Sequence, residues 1–157
     1  MSLDQHLAAI GLLCSHPLPV GHDGPSGGMP GIPATPGHLA GPGYRIVTLE
    51  AGPGAYGGGG AGREQEADDL DAQREGLARI LDERWGPGQT WGTLTPAVRL
   101  ARGEEIPEPW AALTHLVDQL RLWQCATDGR WIGLGLADRD GTDEVRLLAA
   151  VTDIDPP

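Results

Sequence analysis

The last third of the chain constrains the fold more than any other part: three apolar runs, 119–126, 130–138 and 144–152, are joined by Asp128-Gly129 and Asp140-Gly141. Asp-Gly between alternating apolar runs signals a hairpin, because a type I′ turn needs φ > 0 at both central residues. A three-stranded antiparallel meander is expected at the C-terminus.

Once a turn is fixed, period-2 geometry assigns every side chain to a face. Two-residue loops at both Asp-Gly pairs would set Ala126 opposite Trp131, Gln124 opposite Gly133, Leu122 opposite Gly135 and Leu120 opposite Ala137. They would also set Leu136 opposite Val145, Leu134 opposite Leu147 and Ile132 opposite Ala149. One face then carries Trp123, Cys125, Ile132, Leu134, Leu136, Val145, Leu147, Ala149 and Val151, and is the expected core. The other carries Leu120, Leu122, Gln124, Trp131, Gly133, Gly135, Ala137, Glu144, Arg146, Leu148 and Ala150. A face so mixed is either covered by a helix or used as a surface.

Upstream, Leu3, Leu7, Ile10 and Leu13 recur at helical spacing, so 3–14 reads as a short helix that Pro17 and Pro19 stop. Residues 15–43 are dense in Gly and Pro and read as a loop or linker. The alternating, β-rich stretch 44–50 reads as a strand that extends the meander. A long helix is expected over 63–85, with Leu70, Leu77, Leu81 and Trp85 in one stripe, a charged opposite face, and Gly86-Pro87 as its stop. Thr95-Pro96 should open a short helix closed by Gly103, and Glu108-Pro109-Trp110 another carrying Leu113, Leu116 and Val117.

Strands and helices are segregated along the chain, which implies α+β. The expected architecture is a three- to four-stranded antiparallel sheet packed on one face by one long and two short helices, with a Gly/Pro-rich N-terminal arm. At 157 residues the chain divides as a helix and arm over 1–43 and a single α+β domain over 44–157. It contains no Lys, Asn or Phe, as a GC-rich genome would produce. Without Phe, aromatic core volume has to come from five tryptophans, each with one N–H to satisfy.

The net charge of −11, with no basic cluster, opposes binding to nucleic acid or to an anionic membrane. The run 7–14 ends in Cys14 yet lacks the positive flank of an export signal and the small residue of a lipidation site, and no stretch reaches the roughly 20 apolar residues of a membrane span. Cys14 and Cys125 are distant in sequence and form no C-x-x-C, so neither a disulfide framework nor a zinc motif is expected, and the default is reduced thiols in the cytoplasm.

Each motif with chemical potential has a simpler reading. Gly52, Gly54 and Gly57 match G-x-G-x-x-G after a strand, but Gly58-Gly59-Gly60 separates them from the helix that should meet a pyrophosphate. Arg63-Glu64 replaces the Lys-Ser/Thr of a phosphate loop. Asp138, Asp140, Asp143 and Glu144 could hold a hard cation, but the spacing is not that of an EF-hand and a solvated turn accounts for them. His16, His22, Asp23 and His38 match no ligand spacing, and His115 reads as a boundary residue. Ser2, Ser15, Ser26, Cys14 and Cys125 lie in no nucleophile elbow, and Glu104, Glu105 and Glu108 read as a solvated loop. No cofactor, metal or catalytic residue is expected.

The leading expectation is a non-catalytic acidic protein-binding module, an inhibitor, immunity-type or adaptor factor, whose partner is another protein of basic character or a second copy of the chain. Its candidate binding residues are Leu120, Leu122, Trp131, Gly133 and Gly135 on the second sheet face. The alternative is a small-molecule-binding protein or enzyme with a pocket over Gly133 and Gly135, where absent side chains let another group approach. A deep enclosed cavity would favour the ligand, and an open patch the protein partner.

Overall fold

A computed structural model describes residues 3–15, 39–51, 60–125, 129–137 and 145–157. Among these the order is α1 (Leu3–Ser15), β1 (Leu39–Gly41), β2 (Tyr44–Ala51), α2 (Gly60–Trp85), β3 (Gln89–Gly92), α3 (Leu94–Ala101), α4 (Trp110–Leu116), β4 (Gln119–Gln124), β5 (Trp131–Ala137) and β6 (Arg146–Thr152). The fold is α+β. Its strands form one antiparallel sheet in the order β1-β2-β6-β5-β4-β3.

The sheet is wider than the sequence suggests, because β1 and β3 lie in short Gly-containing segments that carry little strand signal. They form its two edges. Among the described residues there are four helices, and α1 is no appendage: Ala9, Ile10 and Leu13 are buried in the same cluster as the sheet and α2. Strand β1 pairs antiparallel with β2.

Both hairpins of the meander are offset by two residues from the expected register. Leu122 faces Gly133 and Gln124 faces Trp131, while Leu134 faces Ala149 and Leu136 faces Leu147. The first turn is longer than two residues: Cys125 and Arg130 still pair, and Gly129 adopts φ 73 and donates its N–H to the Cys125 carbonyl. An offset of two preserves the faces. The expected core face is the observed one, with Trp123, Cys125, Ile132, Leu134, Val145, Leu147, Ala149 and Val151 all buried in a single cluster under α1 and α2.

The second face is also covered. Leu120, Leu122, Leu148 and Ala150 pack with Trp110, Leu113 and Val117 of the α4 segment and with Ile106. The sheet thus lies between two helical layers, with α1 and α2 on one side and α3 and α4 on the other, and not with the long helix and the two shorter ones all on one face as expected. Helix α3 begins earlier than Thr95: Thr93 is the N-cap residue, and its hydroxyl lies 2.9 Å from the carbonyls of Val117 and Asp118 instead of capping the helix. The helix closes as expected at Gly103, whose φ of 83 allows Gly103 N–H to bond Leu100 and Glu104 N–H to bond Arg99 in a Schellman arrangement.

The tryptophans carry aromatic volume on both faces, and three of them anchor their N–H groups. Trp110 donates to the Ile154 carbonyl at 3.0 Å and stacks obliquely on Trp91 at 5.0 Å. Trp123 donates to Asp82 at 2.9 Å and Trp131 to Asp155 at 2.9 Å. Among the described residues no helix is long and apolar enough to cross a membrane.

Candidate functional site

The residues singled out on the second sheet face are largely interior. Leu120 and Leu122 are 1% and 2% exposed, and Gly133 and Gly135 are buried beneath them. A Cβ on Gly133 would come within 3.1 Å of Leu122 Cδ2, and one on Gly135 within 2.9 Å of both the Gln119 carbonyl oxygen and Leu120 Cδ2. Glycine is needed there because atoms of β4 fill the space a side chain would take. Trp131 is only partly buried and stands at the end of β5, tied to the C-terminal segment through Asp155.

A different concavity lies on the other side. An open groove of about 750 Å³ runs between α2 and the strands β3, β4 and β5. Asp71, Arg74, Glu75, Arg79 and Asp82 line its helix wall, Thr90, Asp118 and Arg121 its sheet wall, with Leu134 and Leu136 between them. Asp71, Glu75 and Asp82 fall on one stripe of α2 at intervals of four and seven residues, and the exposed Asp68 continues that stripe toward the N-terminus.

Asp82 organises one end of the groove. Its Oδ1 accepts from Gly88 N–H at 2.9 Å and from the Trp123 indole at 2.9 Å, and its Oδ2 accepts from Arg121 Nη2 at 2.8 Å. The Arg121 guanidinium in turn lies 5.9 Å from the Trp123 ring centre, within cation–π range. Gly88 packs flat on the indole, where a Cβ would lie 2.8 Å from Trp123 Cε2. Burial pushes the Asp82 carboxyl up, but its N–H donors and the Arg121 charge hold it below the usual carboxylate range. Toward the other end Arg74 Nε donates to Asp71 at 2.8 Å and lies near Glu75, which stays largely exposed.

Comparison finds no protein-family model, no curated protein and no solved structure that matches the chain. The site's chemistry therefore has to be read from its own residues. The groove presents fixed charges of both signs. It is suited to recognising charge on a second molecule.

A second polar cluster was not anticipated. A β-bulge between Thr48 and Glu50 puts Glu50 opposite Leu147, and its carboxylate lies on the face covered by α1 and α2. There Gln73 of α2 donates to it, and His6 of α1, fully buried, lies 3.8 Å away. Neither ring nitrogen of His6 has a hydrogen-bond partner. Burial lowers the His6 pKa, and the Glu50 charge offsets this only in part. For Glu50, burial raises the pKa, but hydrogen bonds, that of Gln73 among them, and the nearby His6 bring it below the ordinary range. The sequence stripe Leu3, Leu7, Ile10, Leu13 hid this cluster: the buried face of α1 is His6, Ala9, Ile10 and Leu13, while Leu3 is 39% exposed.

Of the other candidates, Gly52, Gly54, Gly57, the acids at 138–144, and His16, His22, Asp23, His38, Ser2 and Ser26 lie outside the described residues. Ser15 donates to the Gly11 carbonyl within its own helix, and His115 is exposed on α4. Glu104 reaches Arg99 at 3.4 Å, and Glu108 accepts the Ala112 N–H at 3.0 Å at the start of α4. Among the described residues no three His, Cys, Asp or Glu side chains are grouped to hold a metal ion.

Proposed function

We propose that the chain is a non-catalytic acidic protein-binding module, an inhibitor, immunity-type or adaptor factor, that engages a basic segment of another protein along α2 and its groove. The observation that carries this reading is the groove's form: open, about 750 Å³, and lined by four carboxylates and three guanidiniums instead of a closed apolar chamber. Paired charges such as Asp82 with Arg121 fix its shape, and the exposed acids Asp68, Asp69 and Glu75 supply the surplus negative field. With a net charge of −11 behind it, that field would accelerate encounter with a basic partner and repel acidic ones. The small-molecule alternative over Gly133 and Gly135 has no comparable support, since Leu120 and Leu122 occupy that space.

Affinity capture from lysate of the native host, followed by mass spectrometry and light scattering of the eluate, tests the reading. A stoichiometric basic partner is expected. A clean monomer that retains nothing would count against it.

A further inference from the structure

The two cysteines, separated by 111 positions in sequence, meet in space: Cys125 Sγ lies 3.2 Å from Cys14 Sγ. Cys14 occupies the last turn of α1, and Cys125 follows β4 directly. No disulfide joins them. Their elements are held in place independently of the sulfurs, α1 by Ala9, Ile10 and Leu13 in the core and Cys125 by backbone bonds to Arg130 and Gly129. Arg130 also reaches back to the Cys14 carbonyl at 3.4 Å, fixing a guanidinium at the same junction. The sulfur contact is thus a product of two packed elements meeting.

We propose that Cys14 and Cys125 form a thiol pair built for an intramolecular disulfide that clasps α1 to the sheet. The two differ in access, as a stepwise exchange requires: Cys14 is partly exposed and Cys125 is 5% exposed. A low-molecular-weight disulfide is the oxidant. The Cys14 thiolate attacks one of its sulfurs, breaking that S–S bond and releasing one thiolate, which takes up a proton. The Cys125 thiolate then attacks the Cys14 sulfur of the mixed disulfide and expels the second thiol. Two protein thiols become one disulfide, and the small disulfide is reduced to two thiols. With no other cysteine in the chain, pairing within the molecule competes only with pairing between copies, and the 3.2 Å contact favours the former. Closure of so long a loop restricts the unfolded chain strongly. Its occupancy follows the redox poise of the surroundings.

The test equilibrates the purified chain in buffers of varied oxidised-to-reduced glutathione ratio, quenches with acid, alkylates remaining thiols, and maps peptides without reduction. The expected result is a single two-electron transition in which both thiols disappear together and the Cys14 peptide becomes linked to the Cys125 peptide within monomers. The oxidised chain should melt about 10 °C above the reduced one, a difference that Cys14→Ser abolishes. Glutathione retained on Cys14 with Cys125 still alkylatable would overturn the proposal, as would linkage only between copies. An oxidised chain that melts no higher than the reduced one would overturn the clasp.

Discussion

The indole N–H of Trp123 points at Asp82 and donates to it at 2.9 Å, joining β4 to α2 beside the groove. Because the same carboxylate also accepts from Gly88 and Arg121, it ties the end of α2 to the turn into β3 and to β4 at one end of the groove.

Asp82→Ala should cost about 2 kcal/mol, the scale for removing a charged acceptor from donors that are then left unmatched. Chemical denaturation of the variant and the parent checks this. In the folded chain the Asp82 carboxyl titrates below its unfolded value. Its stabilisation is therefore complete above the unfolded pKa of about 4 and is lost as pH falls through the folded value. Asp82→Asn should flatten the acid limb of the stability curve.

His6 adds a second pH dependence of the same sign. Its folded pKa is lowered, so the unfolded chain binds the extra proton first and stability falls as pH drops below about 6.5. His6→Leu removes two unpaired buried nitrogens. Melting at about pH 7 and pH 5 should show a smaller loss on acidification than in the parent. An unchanged loss would show that His6 does not contribute.

Substitution at the two sheet glycines should separate them. At Gly135 a side chain meets the backbone oxygen of Gln119, which cannot move aside without shifting β4. Gly135→Val should cost about 3 kcal/mol, the upper range for overpacking. At Gly133 the nearest group is the flexible end of Leu122, so Gly133→Ala should cost clearly less. Equal tolerance at both positions in urea denaturation would contradict the filled face.

Leu113 on α4 and Leu77 on α2 are both fully buried, on opposite faces of the sheet. Truncating either to Ala should cost about 2–5 kcal/mol. A near-neutral Leu113→Ala, measured alongside Leu77→Ala, would show that the second helical layer does not cover the sheet.

How much of this was legible in the chain follows from the range of each signal. The face assignments of Trp123, Ile132, Leu134 and Leu147 were readable because alternation is local and survives a register error of two. The register itself was not, because the turn at Gly129 is closed by an N–H bond to Cys125 that dipeptide identity does not reveal. Strands β1 and β3 were missed because Leu39–Gly41 and Gln89–Gly92 gain their pairing from neighbouring strands and hardly from their own composition. The α4 segment was visible, but which face it covers depends on Trp110 and Val117 reaching Leu120 and Leu148, a tertiary fact. His6 was hidden by placing Leu3 and Leu7 on the stripe, and the Cys14–Cys125 contact by its separation in sequence. The groove likewise joins α2 to strands distant in the chain.

The most direct measurement is side-by-side capture from native-host lysate by the parent chain and by an Asp68→Lys, Glu75→Lys double variant, at low and at physiological salt. Both positions are exposed on α2, so the fold should be retained. The account predicts a basic partner held by the parent, weakened by salt, and recovered at least about 10-fold less by the variant. Equal recovery of the same partner by both chains, insensitive to salt, would contradict it.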